Sequence, residues 1–543
     1  MASEKKPVFI RAASGLVRTM SLKDIVLWNS LAQGIGFGTI AYTAPAMCGL
    51  LPGTDYTIAS ILTIIAGVSV TLTYAHFIAA MPRSGGEYVF LSRIVHPFVG
   101  YFMNWSMAWL FILAMAINVI IGGSMLVSLA GIYMAVPDFW WTAQGQMVLG
   151  VVLSVIGLVI TLAGMRWYVR FQNFAAIVSF ISIVLFIAAF AWLGNPQNFA
   201  NVFNTAAAPY YTDITTTPYD YIIEAAKAAG WRPFLEAPFS WSNTVGMMVV
   251  YGWAGLFTVA TFSSYIAGEM KNAESGRTQV LGLTGGWLLG ALLTIGLGYL
   301  MLAVISPDWL GAGYYTQWDP TVFRMRVGAV GFPFPLLPYL IDKTAAAFII
   351  FGYMLLALVW YIMDLIMISR NMFAWSFDRI FPTRISNINP RLKIPLNAIV
   401  LTFIIGLIFS LVYASGSTGY FYALLSAAGW LVYTTFVVVG LTAIVFPFTR
   451  KKLYELMPLK SSIGPIPTLT VLGIITVIFF GAMASVYVWW SDYAIVLGVW
   501  SIQTTMLIGI IYIVAILVYF GSRAYWKAKG VDLEAAAKEI PPA

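Results

Sequence analysis

Apolar residues occur along this chain in long runs that short polar stretches separate. A helix that crosses a lipid bilayer needs about 20 consecutive, mostly apolar residues. Runs of that length recur twelve times, so the pattern predicts an all-α membrane protein with twelve transmembrane helices. In chain order the runs cover residues 26–51, 56–81, 97–130, 144–164, 171–194, 244–268, 279–305, 344–369, 395–414, 419–448, 466–490 and 493–521.

Composition agrees with this pattern, because 60% of the 543 residues are hydrophobic, only 9% are charged and the mean hydropathy is +0.86. No soluble core of this size needs so much apolar surface. Polar stretches predict three further segments: a cytoplasmic N-terminal segment at 1–25, an extracellular loop at 195–243 and a cytoplasmic tail at 522–543. Within the extracellular loop, Tyr219 to Ala229 can form a short helix on the membrane surface.

The basic residues predict orientation. With the N-terminus in the cytoplasm, 24 of the 29 Lys and Arg residues fall on the cytoplasmic side, as the positive-inside rule expects for an even number of spans. Both termini are therefore predicted to be cytoplasmic, in a multi-pass protein of the cytoplasmic (plasma) membrane. The net charge of +8 indicates contact with anionic lipid headgroups and no nucleic-acid partner, since the basic residues are scattered through short loops.

The first apolar run is interrupted near its middle by Gly-Ile-Gly-Phe-Gly at residues 34–38. Unpaired backbone in hydrocarbon costs several kcal/mol per group, so such a break persists only where it lines a cavity. A broken helix presents free N–H groups on one half and free C=O groups on the other, which suits a zwitterion or an anion with a cation. Close packing of two helices on small residues is the alternative interpretation.

Four motifs resemble those of the amino acid–polyamine–organocation (APC) superfamily of permeases. The most specific is Met-Pro-Arg-Ser-Gly-Gly-Glu-Tyr-Val-Phe at 81–90, which resembles the first inner loop of that family. Residues 34–40, 268–272 and 369–382 resemble the motifs of its first, sixth and eighth spans. The chain departs from the family pattern at His96, where a glycine is usual. With the twelve runs, the resemblance covers nearly the whole chain.

The resemblance implies a leucine-transporter-like fold of two inverted repeats, spans 1–5 at 26–194 and spans 6–10 at 244–448, with two peripheral helices at 449–521. Glycines also interrupt the sixth run, at Gly252 and Gly255, and paired breaks indicate a transporter site. Together the motifs predict these substrate-binding residues: Gly34, Ile35, Gly36, Phe37, Gly38, Thr39, Trp253, Gly255, Phe257, Thr258 and Val259.

Two positions depart from the family pattern at this site. Phe37 replaces the usual serine, so Thr39 is expected to supply the hydroxyl. Val259 stands where the family has glycine; either the unwinding has moved to Gly252 and Gly255 or Val259 adopts it, and we favour a broken stretch from Trp253 to Val259.

The dipoles of a broken helix and the family motif also assign roles. Backbone N–H groups of Gly36 and Gly38 are expected to hold a substrate carboxylate, and the carbonyls of Gly34 and Ile35 to receive its amine. Trp253 and Phe257 are expected to close over the ligand as an outer gate.

Asp364 is the one acidic side chain well inside an apolar run. Such residues usually face a cavity or a partner and mark an ion pathway. The resemblance places it about one turn from the hydroxyl residues that bind sodium in sodium-coupled relatives, whose site is completed by carbonyls, here of Ala32 and Ile35. Proton-coupled relatives instead carry a lysine in span 5, and this chain has none there.

Three roles for Asp364 stay open: proton coupling, a place beside a bound sodium ion, or a salt bridge with an arginine such as Arg370. Protons are favoured over sodium because span 8 has no serine or threonine hydroxyl between Thr344 and Ser369. Glu87 and Glu269 lie in arginine-rich inner loops and are expected to form salt bridges. Most tryptophans and tyrosines are expected to be interfacial anchors.

These features favour a secondary active transporter (permease) for amino acids or related amines that works by alternating access as a cation-coupled symporter. An uncoupled exchanger is the alternative. An enzyme is disfavoured because clustered catalytic side chains are absent, and a channel because filter motifs are absent. The sequence has no nucleotide-binding loop. We expect no cofactor and no metal; the expected partners are the substrate, a proton or sodium ion and membrane lipid.

Overall fold

The structure is a computed structural model that describes residues 15–34, 43–253, 255–318, 336–415, 418–489 and 501–536. Most of these residues are α-helical. The α-helices are α1 Leu22–Leu31, α2 Ala44–Leu50, α3 Tyr56–Ala80, α4 Glu87–Ile94, α5 Pro97–Tyr133, α6 Ala143–Leu162, α7 Met165–Leu193, α8 Pro196–Ala207, α9 Pro218–Ala228, α10 Trp241–Trp253, α11 Phe262–Tyr265, α12 Gly276–Gln279, α13 Gly286–Val304, α14 Pro307–Trp318, α15 Leu337–Leu340, α16 Lys343–Phe377, α17 Leu396–Ala414, α18 Thr418–Thr449, α19 Lys451–Glu455, α20 Thr468–Trp489, α21 Ile502–Ala528 and α22 Leu533–Ala536.

Shorter elements connect some of these helices. A two-stranded antiparallel hairpin joins α19 to α20 through β1 Ser462–Ile463 and β2 Ile466–Pro467. The 3₁₀-helices and the π-helical turn are Asp138–Trp141, Ala208–Tyr210, Thr258–Thr261, Ala267–Glu269, Thr383–Ser386 and, between α12 and α13, the π-helical Val280–Gly285. The short helix expected in the long loop is present as α9.

Ten helical segments in the described residues are long and apolar enough to cross a membrane. Two of the twelve predicted spans are missing from that set, because their runs are each divided into shorter helices. The run 26–51 contains α1 and α2, and the run 244–268 contains α10 and α11. The sequence predicted both interruptions.

Helices α5 and α16 form the centre of the bundle and pack against each other. Other helices surround this pair, with α6 and α7 against α16, and α18 against both α5 and α20. The outer faces of α6, α7, α17 and α21 expose valine, isoleucine and leucine side chains. Such faces are expected where a helix contacts lipid.

The first helix is held at both ends by polar contacts. At its start, Ser21 and Asp24 form a capping box, which satisfies backbone N–H groups of the first turn. Towards its end, the Asn29 amide donates to the Ser263 hydroxyl (2.8 Å) and to the Gly282 carbonyl (3.0 Å). These bonds fix the end of α1 against α11, which follows the second interruption, and against the π-helical turn.

Candidate functional site

The first interruption begins where α1 ends at Leu31. Ala32 caps the helix, and Gly34 follows in the left-handed region (φ +65°) with its N–H donating to the Leu31 carbonyl (2.8 Å). The next α-helix in the described residues is α2, which starts at Ala44. Five predicted binding residues fall between these points and lie outside the described residues, so their contacts stay predictions: Ile35, Gly36, Phe37, Gly38 and Thr39.

The second interruption is a Schellman motif at the end of α10. The N–H of Leu256 donates to the Tyr251 carbonyl (3.3 Å), and the N–H of Gly255 donates to the Gly252 carbonyl (3.0 Å). Gly255 has a φ of +86°, a conformation that glycine adopts without the steric penalty of a β-carbon. The unwinding therefore lies at Gly255. Val259 is buried in the 3₁₀-helix that follows and has no left-handed backbone.

The two interruptions meet at the ends of α1 and α10. A β-carbon built on Gly255 would lie 3.8 Å from the carbonyl oxygen of Ala32 and 3.9 Å from the hydroxyl oxygen of Thr258. Thr258 donates its hydroxyl to the Gly255 carbonyl (3.0 Å). Gly255 therefore lies close to both Ala32, from a distant segment of the chain, and Thr258.

The structure describes the side chain of only one of the two residues expected to form an outer gate. Phe257 is fully buried, and its ring packs edge-on against Phe480 of α20 at 5.1 Å, close to Tyr433 of α18. In this conformation Phe257 lies against α18 and α20. The side chain of Trp253 lies outside the described part of the structure.

Two indole groups bind backbone carbonyls at the interruptions. Trp287 of α13 donates its Nε1–H to the Leu256 carbonyl (2.5 Å), and Trp360 of α16 donates its Nε1–H to the Leu31 carbonyl (2.9 Å). The amide of Gln33 adds a bond to the Trp287 carbonyl (2.6 Å). Each broken helix therefore has a carbonyl at its interruption paired with a side chain from another helix.

Sequence reasoning missed these two tryptophans, because it assigned most aromatic residues to the membrane interface. Their position in the middle of apolar runs was the available signal, since interfacial tryptophans lie at the ends of spans.

Asp364 lies in the middle of α16 and is buried, with 3% of its surface exposed. Its carboxylate accepts a hydrogen bond from the Asn118 amide of α5 (3.1 Å). Arg370, the arginine considered as its partner, instead donates to Glu269 (2.7 Å). In the part of the chain that the structure describes, no cationic side chain forms an ion pair with Asp364.

The end of the bundle predicted to be cytoplasmic is closed by buried contacts. Arg370 and Glu269 each have 2% of the side chain exposed. The backbone N–H groups of Thr19 and Met20 donate to the Glu269 carbonyl (2.8 and 3.1 Å), and the N–H of Lys271 donates to the Met20 carbonyl (2.9 Å). The segment before α1 is thereby held on the segment that follows α11.

Glu87 is the second buried carboxylate at this end. It accepts hydrogen bonds from the hydroxyls of Tyr74 and Tyr265 (2.7 Å each) and from the amide of Asn104 (3.0 Å), whose own oxygen accepts from the Trp375 indole (2.8 Å). Burial raises the pKa of the Glu87 carboxyl above its ordinary value, against the opposing effect of these hydrogen bonds. The salt bridge expected for Glu269 is present, with Arg370, whereas in the described residues Glu87 has three neutral donors in place of the expected cation.

A third carboxylate joins α4 to the end of α16. Asp378 accepts from the Tyr88 hydroxyl (2.6 Å) and from the Arg93 guanidinium (2.8 Å), and all three groups are buried. These residues belong to the 81–90 and 369–382 motifs or follow them closely. The resemblance noted in the sequence therefore corresponds to one physical contact between two distant segments.

Comparison with known proteins agrees with this geometry. No curated protein matches the chain. Residues 25–516 match the family model for amino acid permeases, a range that includes both helix interruptions, Asp364 and the buried carboxylates Glu87, Glu269 and Asp378. A match over most of the chain establishes membership, and the chain therefore belongs to the amino acid permease family, in the APC superfamily.

Proposed function

We propose that this membrane amino acid transporter is a secondary active permease that carries amino acids or related amines across the cytoplasmic membrane by alternating access, coupled to protons. The proposal includes twelve spans arranged as two five-helix inverted repeats and two peripheral helices, with both termini in the cytoplasm. The observation that carries it is the contact between the two helix interruptions, where the position of a Gly255 β-carbon lies 3.8 Å from the Ala32 carbonyl oxygen.

The polarity of the meeting helix ends supports an amino acid as the ligand. Both α1 and α10 end at the interruption with their C-termini, where the helix dipole places partial negative charge. Two such ends in contact favour the ammonium group of a substrate. Its carboxylate then belongs on the N–H groups of residues 36–38, as the sequence predicts.

The buried contacts at the predicted cytoplasmic end support alternating access. Glu269 and Tyr265 both lie on the segment after the second interruption, and they contact Arg370 and Glu87 respectively. A tilt of this one segment would break both contacts together and open a path to the site. Transporters with broken helices alternate access largely by rocking or gating of one part of the bundle against the other around a fixed site.

Asp364 supports proton coupling. A buried carboxylate whose hydrogen-bond donor is the neutral amide of Asn118 carries an uncompensated charge unless it takes up a proton. Because Asn118 lies on α5 and Asp364 on α16, a change in protonation would alter the contact between the two central helices.

Uptake by purified protein in liposomes tests the proposal. A panel of radiolabelled amino acids should include at least one that accumulates when the outside is acidic, at a rate that does not change when sodium replaces choline. Accumulation that requires sodium would contradict proton coupling. Exchange without net accumulation would favour the uncoupled exchanger, and absence of both with every amino acid would overturn the transport proposal.

Variants of the first interruption test the site itself. Gly36→Ala or Gly38→Ala should abolish binding while the protein stays folded. Thr39→Val should weaken affinity about tenfold, since one hydrogen bond contributes about 1–1.5 kcal/mol. Gly296→Ala is the matched control, because a β-carbon there meets no atom within 4 Å. Normal affinity in either Gly36→Ala or Gly38→Ala would rule out the carboxylate contact.

A further inference from the structure

The end of α1 has the electrostatic properties of a cation site. The last carbonyls of a helix lack intrahelical partners, and the dipole makes that end partially negative. On α16, the helix that contacts this end through Trp360, lies the buried carboxylate of Asp364. Carbonyl and carboxylate oxygens are the ligands that hard cations prefer.

The structure places an N–H donor at this position. The Leu31 carbonyl accepts from the Gly34 N–H (2.8 Å) and from the Trp360 indole (2.9 Å), so both of its lone pairs are in use. Trp360 and Asp364 are four residues apart in α16 and therefore lie on one face of that helix. An N–H group directed at the carbonyl carries partial positive charge, which would repel a metal cation.

We propose that Trp360 is a positioning residue that joins the end of α1 to α16 with a neutral N–H, where a coupling cation would otherwise join them. The contact between the end of α1 and α16 therefore does not bind sodium. The inference rests on the proposed function, in which the end of α1 forms part of the substrate site. It assigns to a single side chain a physical reason for the sodium independence that the proposed function expects.

The other interruption provides an internal comparison. Trp287 binds the Leu256 carbonyl in the same way, but the residues four positions before and after it in the chain are Leu283 and Ala291. No carboxylate accompanies this indole on its own helix face. Removal of the Trp287 indole should therefore not create a cation site, and the same substitution at the two positions separates a specific effect from a general loss of packing.

The first experiment measures melting temperature in detergent with sodium chloride or choline chloride, and needs no transport activity. The wild-type protein should melt at the same temperature in both salts. In choline, Trp360→Thr should melt at a lower temperature than the wild type. In sodium it should regain part of this loss with a saturable dose response, because the substitution frees a lone pair of the Leu31 carbonyl and adds a hydroxyl one turn from Asp364. Trp287→Thr should be destabilised equally in both salts.

Saturable stabilisation of the wild type by sodium would overturn the proposal. A folded Trp360→Thr protein whose melting temperature is the same in sodium and in choline would overturn it too. If Trp360→Thr does not fold, the proposal is tested by the melting temperature of the wild type in the two salts and by the uptake of Trp360→Phe described below. Because this experiment reads stability, its failure can be told apart from failure of the transport proposal.

The second experiment measures uptake by Trp360→Phe, which keeps an aromatic ring and loses the N–H. Its KM for the transported amino acid should rise about tenfold, as expected for one lost hydrogen bond, equally with and without sodium. A merely structural role would lower the maximal rate through loss of folded protein and leave KM unchanged. Trp192→Phe, a change at an exposed tryptophan near the end of α7, is the control. An unchanged KM in Trp360→Phe would overturn the positioning role.

Discussion

Gly67 lies in α3 and faces Trp287, which binds the backbone at the second interruption. Substitution of Gly67 by alanine should therefore disturb that interruption. A β-carbon on Gly67 would lie 1.9 Å from Cζ2 and 2.1 Å from Cη2 of Trp287. The indole must move by about 1.5 Å to restore an ordinary contact of 3.4 Å. Because Trp287 is fully buried and its Nε1 bonds to the Leu256 carbonyl at 2.5 Å, a shift of this size would break that bond.

Two costs follow from this movement. Overpacking of a buried site costs about 1–3 kcal/mol, and a buried carbonyl that loses its partner costs about 1–3 kcal/mol more. The improved helix propensity of alanine offsets at most about 1 kcal/mol. Gly67→Ala should therefore be destabilised by about 1–5 kcal/mol, which we expect to appear as a lower melting temperature and weaker amino acid uptake per folded molecule.

Two further variants separate packing from hydrogen bonding. Gly296→Ala in α13 should melt at or above the wild-type temperature, since no atom lies within 4 Å of the new β-carbon. The double variant Gly67→Ala, Trp287→Phe should regain stability through its smaller ring but not uptake, because the N–H to Leu256 is still missing. A Gly67→Ala protein with the melting temperature and uptake of Gly296→Ala would refute the reasoning.

Three other variants test the buried charges. Arg370→Met should destabilise the protein by about 3–5 kcal/mol, because it leaves Glu269 buried without its partner; adding Glu269→Gln should recover much of the melting temperature, and no recovery would contradict the pairing. Burial raises the pKa of Glu87, so the folded state binds its proton more tightly than the unfolded chain and stability should fall as pH rises above 4.5 towards the raised pKa. Glu87→Gln should flatten that part of the profile of melting temperature against pH, whereas an unchanged slope would exclude Glu87 as its source. Asp364→Asn should abolish the dependence of uptake on a proton gradient and spare exchange; gradient dependence equal to wild type would end the coupling role.

The sequence predicted the ends of helices well where those ends are surrounded by water or lipid. The run 395–414 corresponds to α17, which starts at Leu396 after Pro395, and the run 97–130 corresponds to α5, which starts at Pro97. Prediction was poorer where protein replaces solvent. The run 344–369 ends at the first arginine, but α16 continues to Phe377 because Arg370 and Asn371 are buried among neighbouring helices.

The candidate site was predictable to the extent that backbone conformation depends on local sequence. Gly255 signals an interruption because few other residues adopt its φ, and Gly34 does so at the end of α1. The partners of the interrupted backbone come from helices far along the chain, so local patterns could not identify Trp287 and Trp360. The neutral donors around Glu87 show the same limit, since charge counts in loops favoured an arginine.

The central claim is that an amino acid binds where the two helix interruptions meet. A cryo-electron microscopy structure with a saturating concentration of the amino acid that the uptake panel selects tests this claim most directly. We predict ligand density between residues 34–39 and residues 255–259, with the ammonium group towards the ends of α1 and α10. Ligand density at any other place, with the two interruptions in direct contact and nothing between them, would contradict the account.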